Sequence, residues 1–440
     1  MKFKIQILYF IISIILFIYT FYRSEIIWDG ERRDYYLIYY IVSIFFFILS
    51  LLIFYLRSIG LYTIIIFFSV VFSLYLTEFY YLVKVFNNND KKNLSKKIKI
   101  FEKNNSKNYD RRSLKEIYND SKIIDEKIVI SISPENFLFE SSNIFPLGGI
   151  SNSKTIHCNE NGYFSSYISD RYGFNNPDSE WEEDEIEFML IGDSFTHGAC
   201  VNRPNDIGSN LRKLSNKSVL NLGYSGNGPL VEYATLREYI SPKVKNVLWI
   251  FYDNDLEELI NELKSDNLKK YFFDTNYSQN LMNQQKNIDE LLNNFIHKKN
   301  KEEIKKDYNE ILRFLKLYRV RVNIKSIFKD VNKYENEISK DKLEEILNMA
   351  KVLTKKNESN FYFVYLTGYK NDKEDYKKDY YKDVKDIVRK LDINLIDIEQ
   401  SLLSLENDPK KMFPFNLPGH FNIFGYKKVS DKIYEAMKDN

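Results

Sequence analysis

Ile191-Gly192-Asp193-Ser194-Phe195-Thr196-His197-Gly198 follows directly on the apolar run Phe188-Met189-Leu190-Ile191, and the junction between them decides the fold. A short run that is apolar at every position suits a strand buried on both faces, the pattern of a parallel sheet. Gly192 ends that run, and Ser194 then stands at the strand's carboxyl edge, where a substrate can reach its hydroxyl. The Ser194 backbone N–H can point at an oxyanion forming beside it. On its own Gly-Asp-Ser is also a common turn, so the reading depends on what surrounds it.

Further runs of the same kind lie at 219–222, 247–252, 361–366 and 393–396, each ending at or near Gly or Asp. Helical patterns lie between them at 207–214, 229–240, 343–354 and 425–437, the second opening on Pro229, which suits a first helical turn. Alternation of this sort predicts an α/β fold, a doubly wound parallel sheet of about five strands with helices on both faces. The expected body spans 125–440. About one hundred residues separate the third and fourth runs, and 257–340, rich in Lys, Asn, Asp and Glu, reads as a helical insertion that could cap the site.

In such sheets ligands bind outside the carboxyl ends of the strands. Three more segments fall at such ends. Asn221-Leu222-Gly223-Tyr224-Ser225-Gly226-Asn227-Gly228-Pro229 offers glycines that let backbone approach a ligand, with Asn227 as a pocket candidate. Tyr252-Asp253-Asn254-Asp255 offers the Asn254 amide as a donor, although Asn and Asp favour strand ends anyway. Pro418-Gly419-His420-Phe421-Asn422-Ile423-Phe424-Gly425 places His420 in a loop before the last helix, positioned to take a proton from a Ser hydroxyl. Of the four histidines, His197 competes as the base but is expected to line the pocket, while His157 and His297 read as structural or exposed.

Together these four segments resemble the SGNH/GDSL hydrolase superfamily, in its membrane-tethered bacterial form with Gly-Asp-Ser-Phe-Thr-x-Gly. The segment Asp170-Arg171-Tyr172-Gly173-Phe174 resembles the approach that often precedes the first block. The resemblance covers roughly 150–440, without the insertion and the membrane segments, and implies a flavodoxin-like fold. It implies Ser194 as nucleophile and His420 as general base, with an oxyanion hole from the Ser194 and Gly226 N–H groups and the Asn254 side chain. Two positions depart from it. Tyr252 stands where the third block usually begins with Gly, and Leu417 stands three before His420, where the family carries an acid. Asn416, Asp253 or Asp255 are the candidates left for orienting the imidazole.

Upstream, 5–22, 35–56 and 58–83 read as three transmembrane helices, the last two a tight hairpin joined at Arg57. No small-x-small cleavage site follows the first, which argues against a removed signal peptide. The stretch 87–124 reads as a polar linker. Lys2, Lys4 and Arg57 lie on one side; Arg23, Arg32, Arg33, Lys84, Lys91, Lys92, Lys96 and Lys97 lie on the other. The positive-inside rule then puts the body in the cytoplasm, whereas the resemblance puts it outside, so sidedness stays open.

The 63 Lys and Arg against 61 Asp and Glu give no global pull toward nucleic acid. The only cysteines, Cys158 and Cys200, form one disulfide or two free thiols, and free thiols are the expectation. No metal-ligand spacing is visible, and no metal or organic cofactor is expected. The expected function is a membrane-anchored serine esterase or acyl-transfer enzyme. Its substrate would be an O-acylated small molecule, glycan or lipid; its surroundings the bilayer; and, for transfer, a membrane partner protein. The alternative is a catalytically compromised binder of an acylated glycan or membrane partner, suggested by Leu417.

Overall fold

The computed structural model describes residues 2–27, 30, 33–55, 59–86, 89–104, 108–140, 142–252, 254–303, 306–327, 332–369 and 380–438. The chain divides into two compact units. One is Met1–Phe86 with Tyr308–Phe328; the other is Asn87–Asp307 with Lys329–Asn440.

The first unit holds helices α1 (Lys2–Phe21), α2 (Arg33–Tyr55) and α3 (Ile59–Phe86). Three segments, Gln6–Ile27, Tyr36–Ile53 and Ile65–Lys84, are long and apolar enough to cross a membrane. Their apolar side chains are largely exposed, as expected of surfaces that face lipid rather than each other. Small residues let α1 and α2 approach closely: the Ser13 hydroxyl donates to the Ser43 carbonyl and the Ser43 hydroxyl to the Ser13 carbonyl, both at 3.0 Å. Tyr9 is buried among Phe46, Ile53 and Phe67, and its hydroxyl donates to the Thr63 carbonyl. Two helices from the region expected to cap the site, α12 (Lys306–Leu315) and α13 (Tyr318–Ile327), contribute the rest of this unit.

The second unit begins with α4 (Asn89–Asn104) and α5 (Leu114–Ile124), so the expected linker is helical over most of its described length. A capping box explains where α5 starts: the Ser113 side chain accepts from Glu116 N while Glu116 accepts from Ser113 N. A small sheet follows, β1 (Val129–Ile130) parallel to β2 (Lys154–Ile156), which is antiparallel to β3 (Ser166–Ile168). Its short strands carry no long apolar run, which is why sequence periodicity does not reveal them.

The main sheet has strands β4 (Ile186–Gly192), β5 (Val219–Asn221), β6 (Val244–Tyr252), β7 (Asn360–Leu366) and β8 (Asn394–Asp397) in the order β5-β4-β6-β7-β8, all parallel. This is the doubly wound α/β architecture, with each expected strand in place. Alternate residues feed two cores. Met189, Ile191, Trp249, Phe251, Phe363 and Tyr365 face a layer containing α8 (Pro229–Tyr239), α14 (Asn332–Lys356) and α15 (Tyr380–Lys390). Phe188, Leu190, Leu248, Ile250, Tyr362 and Val364 face α7 (Ile207–Ser215) and α16 (Ile423–Lys438). Burial on both faces explains why these strands read as continuous apolar runs. The chain starts the sheet at β4 and winds first to one side and then to the other. The order therefore reverses beside β4 and β6, the place where such sheets bind ligands.

Candidate active site

Ser194 is the first residue of the short helix α6 (Ser194–His197), immediately after β4. Asp193 caps that helix, its side chain accepting from Phe195 N at 2.9 Å. A side chain at Gly192 would overlap Thr196 and lie 2.5 Å from the Ile250 carbonyl, so only glycine lets strand, turn and helix come this close.

His420 reaches Ser194 from the loop before α16: its Nε2 lies 2.9 Å from the Ser194 Oγ. The carboxylate behind His420 belongs to Glu160, in the hairpin between β2 and β3. Glu160 Oε1 lies 3.2 Å from His420 Nδ1, and Oε2 accepts from the His420 backbone N–H at 2.7 Å. A carboxylate only accepts, so it selects the tautomer with the proton on Nδ1 and leaves Nε2 free to accept from serine. Burial disfavours the charged imidazole, but the hydrogen bond and charge of Glu160, with Asp193, outweigh it and raise the His420 pKa above its ordinary value. Burial likewise works against the Glu160 carboxylate; the hydrogen bond and charge of His420, then Lys97, hold its pKa below the ordinary value.

Neither Asn416 nor Asp255 serves as the orienting group. Asn416 is exposed in a left-handed turn, and its carbonyl accepts from the Tyr369 hydroxyl. Asp255 is buried and accepts from Tyr252 N at 2.8 Å. Asp253 lies outside the described residues. The expectation failed because the acid enters from a distant hairpin and not from the loop of the base.

Cys158 and Cys200 are joined in a disulfide, which corrects the expectation of free thiols. The bond ties the hairpin of Glu160 to the loop after Ser194, and Asn161 Nδ2 adds a hydrogen bond to the Cys200 carbonyl at 3.0 Å. This link is the signal that would have found Glu160: pairing the only two cysteines brings residues 157–165 beside Ser194. The helix α4 also reaches this region. Lys97 is buried facing Glu160, and a side chain on Gly419 would lie 3.2 Å from Lys97 Nζ.

The loop of Gly226 is anchored to α6 from below. His197 Nδ1 accepts from Ser225 N at 3.2 Å, and its Nε2 lies 2.9 Å from the Tyr167 hydroxyl. His157 Nε2 lies 2.9 Å from Ser225 Oγ. Burial, then His157 and His420, push His197 well below the ordinary histidine range; burial, then His420, lowers His157 to about 3. Burial favours the neutral form of both rings, and both reach Ser225, so His197 is a buried brace rather than a pocket wall. Gly226 itself has φ +80°, and a side chain there would overlap Ser133 Oγ. Asn227 is fully buried, with neither amide atom partnered among the described residues.

Asn254 precedes α9 (Asp255–Glu262), and its Nδ2 donates to Glu258 Oε1 at 2.8 Å. Burial, then Asp193 and Glu262, raise Glu258 to about 9, and burial raises Glu262 to about 7. Glu232 and Asp255 are also raised well above the carboxylate range, chiefly by burial. Burial thus favours the protonated form throughout this acidic group.

The aromatic ring of Phe195 closes the arrangement, with centroids 4.4 Å from Tyr252 and 4.9 Å from His420. Ser194 and His420 thus meet at the rim of the sheet beside the point where its strand order reverses, with the Ser225 loop tied to His197 and Tyr252 packed on Phe195. No family model matches the chain, and no curated protein matches it. Among solved structures, the chain is similar to a G-D-S-L family lipolytic protein from Desulfitobacterium hafniense, at 11% identity and a TM-score of 0.34, over 57% of this chain and 99% of that one. It is similar also to the acetyl xylan esterase AlAXEase, at 13% identity and a TM-score of 0.33, over 57% of this chain and 99% of that one. Likenesses this distant add nothing to the geometry.

Proposed function

We propose that the chain is a membrane-anchored serine esterase of the SGNH type, acting on an O-acyl ester of a carbohydrate or lipid. The observation that carries this reading is the unbroken hydrogen-bond chain Ser194–His420–Glu160. It supplies a nucleophile, a base of the right tautomer, and a half-buried carboxylate for the imidazolium.

In the proposed reaction His420 Nε2 takes the Ser194 proton as Oγ bonds to the ester carbonyl carbon. Glu160 stabilises the resulting imidazolium without itself taking the proton. The carbonyl oxygen gains a full negative charge, to be met by the Ser194 and Gly226 N–H groups and an Asn254 amide hydrogen. Collapse breaks the ester C–O bond, and His420 returns the proton to the leaving alkoxide. Water, or a hydroxyl of an acceptor, then attacks the Ser194 ester with His420 again as base. Hydrolysis and transfer differ only in this last nucleophile; a transferase role would add a membrane partner protein.

The body is proposed to face the outside of the cytoplasmic membrane. A disulfide beside the reacting groups persists in oxidising compartments. The opposing basic-residue count carries less weight for a long domain, which translocates largely regardless of its charge. The binder reading rested on Leu417, and Glu160 removes that ground.

A panel of short-chain aryl esters with wild type, Ser194→Ala, His420→Ala and Glu160→Gln tests the proposal. Turnover by wild type and its loss in each variant is the expected result; equal rates in wild type and Ser194→Ala refute it. A reporter fused to the C-terminus tests sidedness separately.

A further inference from the structure

The region 311–327 differs in character from the rest of the chain. It contains Arg313, Lys316, Arg319, Arg321 and Lys325 and no acidic residue, in a protein whose 63 basic and 61 acidic residues nearly cancel. It forms the end of α12 and all of α13, separated by Lys316 and Leu317.

One side of this helix pair is docked on the membrane helices of the same unit. The rings of Tyr75 and Phe314 are 5.6 Å apart, and the Tyr75 hydroxyl donates to the Leu315 carbonyl at 2.9 Å. Glu78, with no exposed surface, accepts from Arg319 N at 3.1 Å, Arg319 Nη1 at 3.2 Å and Val320 N at 2.8 Å. Arg321 Nη1 donates to the Tyr39 hydroxyl at 3.0 Å. A carboxylate within a membrane-crossing helix is costly unless it finds a partner, and α13 supplies one. Tyr39 lies near the start of α2, and Tyr75 and Glu78 lie toward the end of α3. Because α2 and α3 run consecutively, those two ends belong to the same membrane face.

The remaining side is exposed. Ile311, Leu315, Tyr318 and Val322 recur at steps of four, three and four residues, and each is between 45% and 60% exposed. Ile311 and Leu315 therefore share one face of α12, and Tyr318 and Val322 one face of α13, with the chain turning between them at Leu317, φ +50°. Exposed apolar stripes on two helices, joined over 311–327 by a run with five basic residues and no acid, are the composition of a segment lying in a membrane interface.

We propose that α12 and α13 form an interfacial anchor, with Ile311, Leu315, Tyr318 and Val322 inserted among acyl chains and Arg313, Lys316 and Lys325 toward anionic lipid headgroups. The occupant is taken to be lipid because the stripes are continuous with the membrane-crossing unit, and because the charge of the run complements an anionic surface. The long insertion would thereby return the chain to the membrane between α11 (Gln285–Glu303) and α14.

The test uses the full chain in nanodiscs of phosphatidylglycerol or phosphatidylcholine. A bimane label is attached to Leu315→Cys, Val322→Cys, Lys316→Cys or Asn323→Cys without reductant, so that Cys158 and Cys200 stay paired. Brominated lipid should quench Leu315→Cys and Val322→Cys and leave Lys316→Cys and Asn323→Cys largely unquenched. Converting Arg313, Lys316 and Lys325 together to Gln should weaken the preference for phosphatidylglycerol by about fivefold per charge removed. Hydrogen exchange on unlabelled wild type gives a second reading: amides in 311–327 should be more protected on phosphatidylglycerol, with the difference lost in high salt. Stripe labels quenched by aqueous iodide and not by brominated lipid overturn the proposal. So do unlabelled Leu315→Cys or Val322→Cys chains that form disulfides between copies, and exchange that is indifferent to lipid charge.

Discussion

Replacing Glu160 by Gln removes one charge and almost no volume, and the geometry predicts a loss that no rotamer can avoid. In the native site the carboxylate accepts twice, from His420 Nδ1 at 3.2 Å and from His420 N at 2.7 Å. An amide accepts with one atom and donates with the other. If its oxygen keeps the backbone N–H, its NH₂ faces Nδ1 and selects the tautomer whose Nε2 carries the proton, which cannot accept from Ser194. If it turns over, two N–H groups oppose each other. The electrostatic loss is sizeable as well. Opposite unit charges 3.2 Å apart interact by about 5 kcal/mol at an effective dielectric of about 20. The side chains are 27% and 23% exposed, so solvent screening leaves part of this, and kcat should fall by roughly 10²–10³. The assay is steady-state hydrolysis of an aryl acetate, with thermal unfolding as a control. KM should change little, because Glu160 acts through His420 rather than on substrate. The acid limb of kcat/KM should also move to lower pH: with Glu160 gone, burial is no longer outweighed, and the His420 pKa falls. A folded Glu160→Gln enzyme within about threefold of wild type in kcat would refute this account of the base.

Reduction of Cys158–Cys200, or Cys158→Ser with Cys200→Ser, should lower kcat through Glu160 and destabilise the fold by about 4 kcal/mol for a 42-residue separation, read by activity and denaturant melts. Gly226→Ala should cost about 1–3 kcal/mol, because it forces an L side chain into φ +80° against Ser133, and should depress kcat more than it raises KM. Glu258, held protonated to about 9 against an ordinary 4.5, binds a proton in the folded state that the unfolded chain releases. Wild-type stability should therefore fall as pH rises from about 4.5 toward 9, and Glu258→Gln should flatten that slope in melts taken across the range.

The main sheet was legible because its strands are buried on both faces, so 188–191, 247–252 and 361–366 stand out as unbroken apolar runs. The loops of Ser194 and His420 were legible because each follows a strand or precedes a helix in a fixed order. Glu160 was not, since a Glu in the turn Asn159-Glu160-Asn161-Gly162 looks like any solvated loop residue until the small sheet and the disulfide bring it to His420. His197 misled for the related reason that adjacency to Ser194 in sequence says nothing about which way a ring turns; it points into the core, toward Tyr167 and Ser225. The region 257–340 was read by its average composition, which hid the acid-free segment 311–327 and its docking on Glu78.

Intact-mass spectrometry after exposure to a fluorophosphonate measures nucleophilic activation of a single side chain directly. The account predicts one adduct per chain, mapped to Ser194, absent in Ser194→Ala and strongly slowed in both His420→Ala and Glu160→Gln. Folded wild-type protein that takes up no adduct, or carries it on another residue, would contradict it.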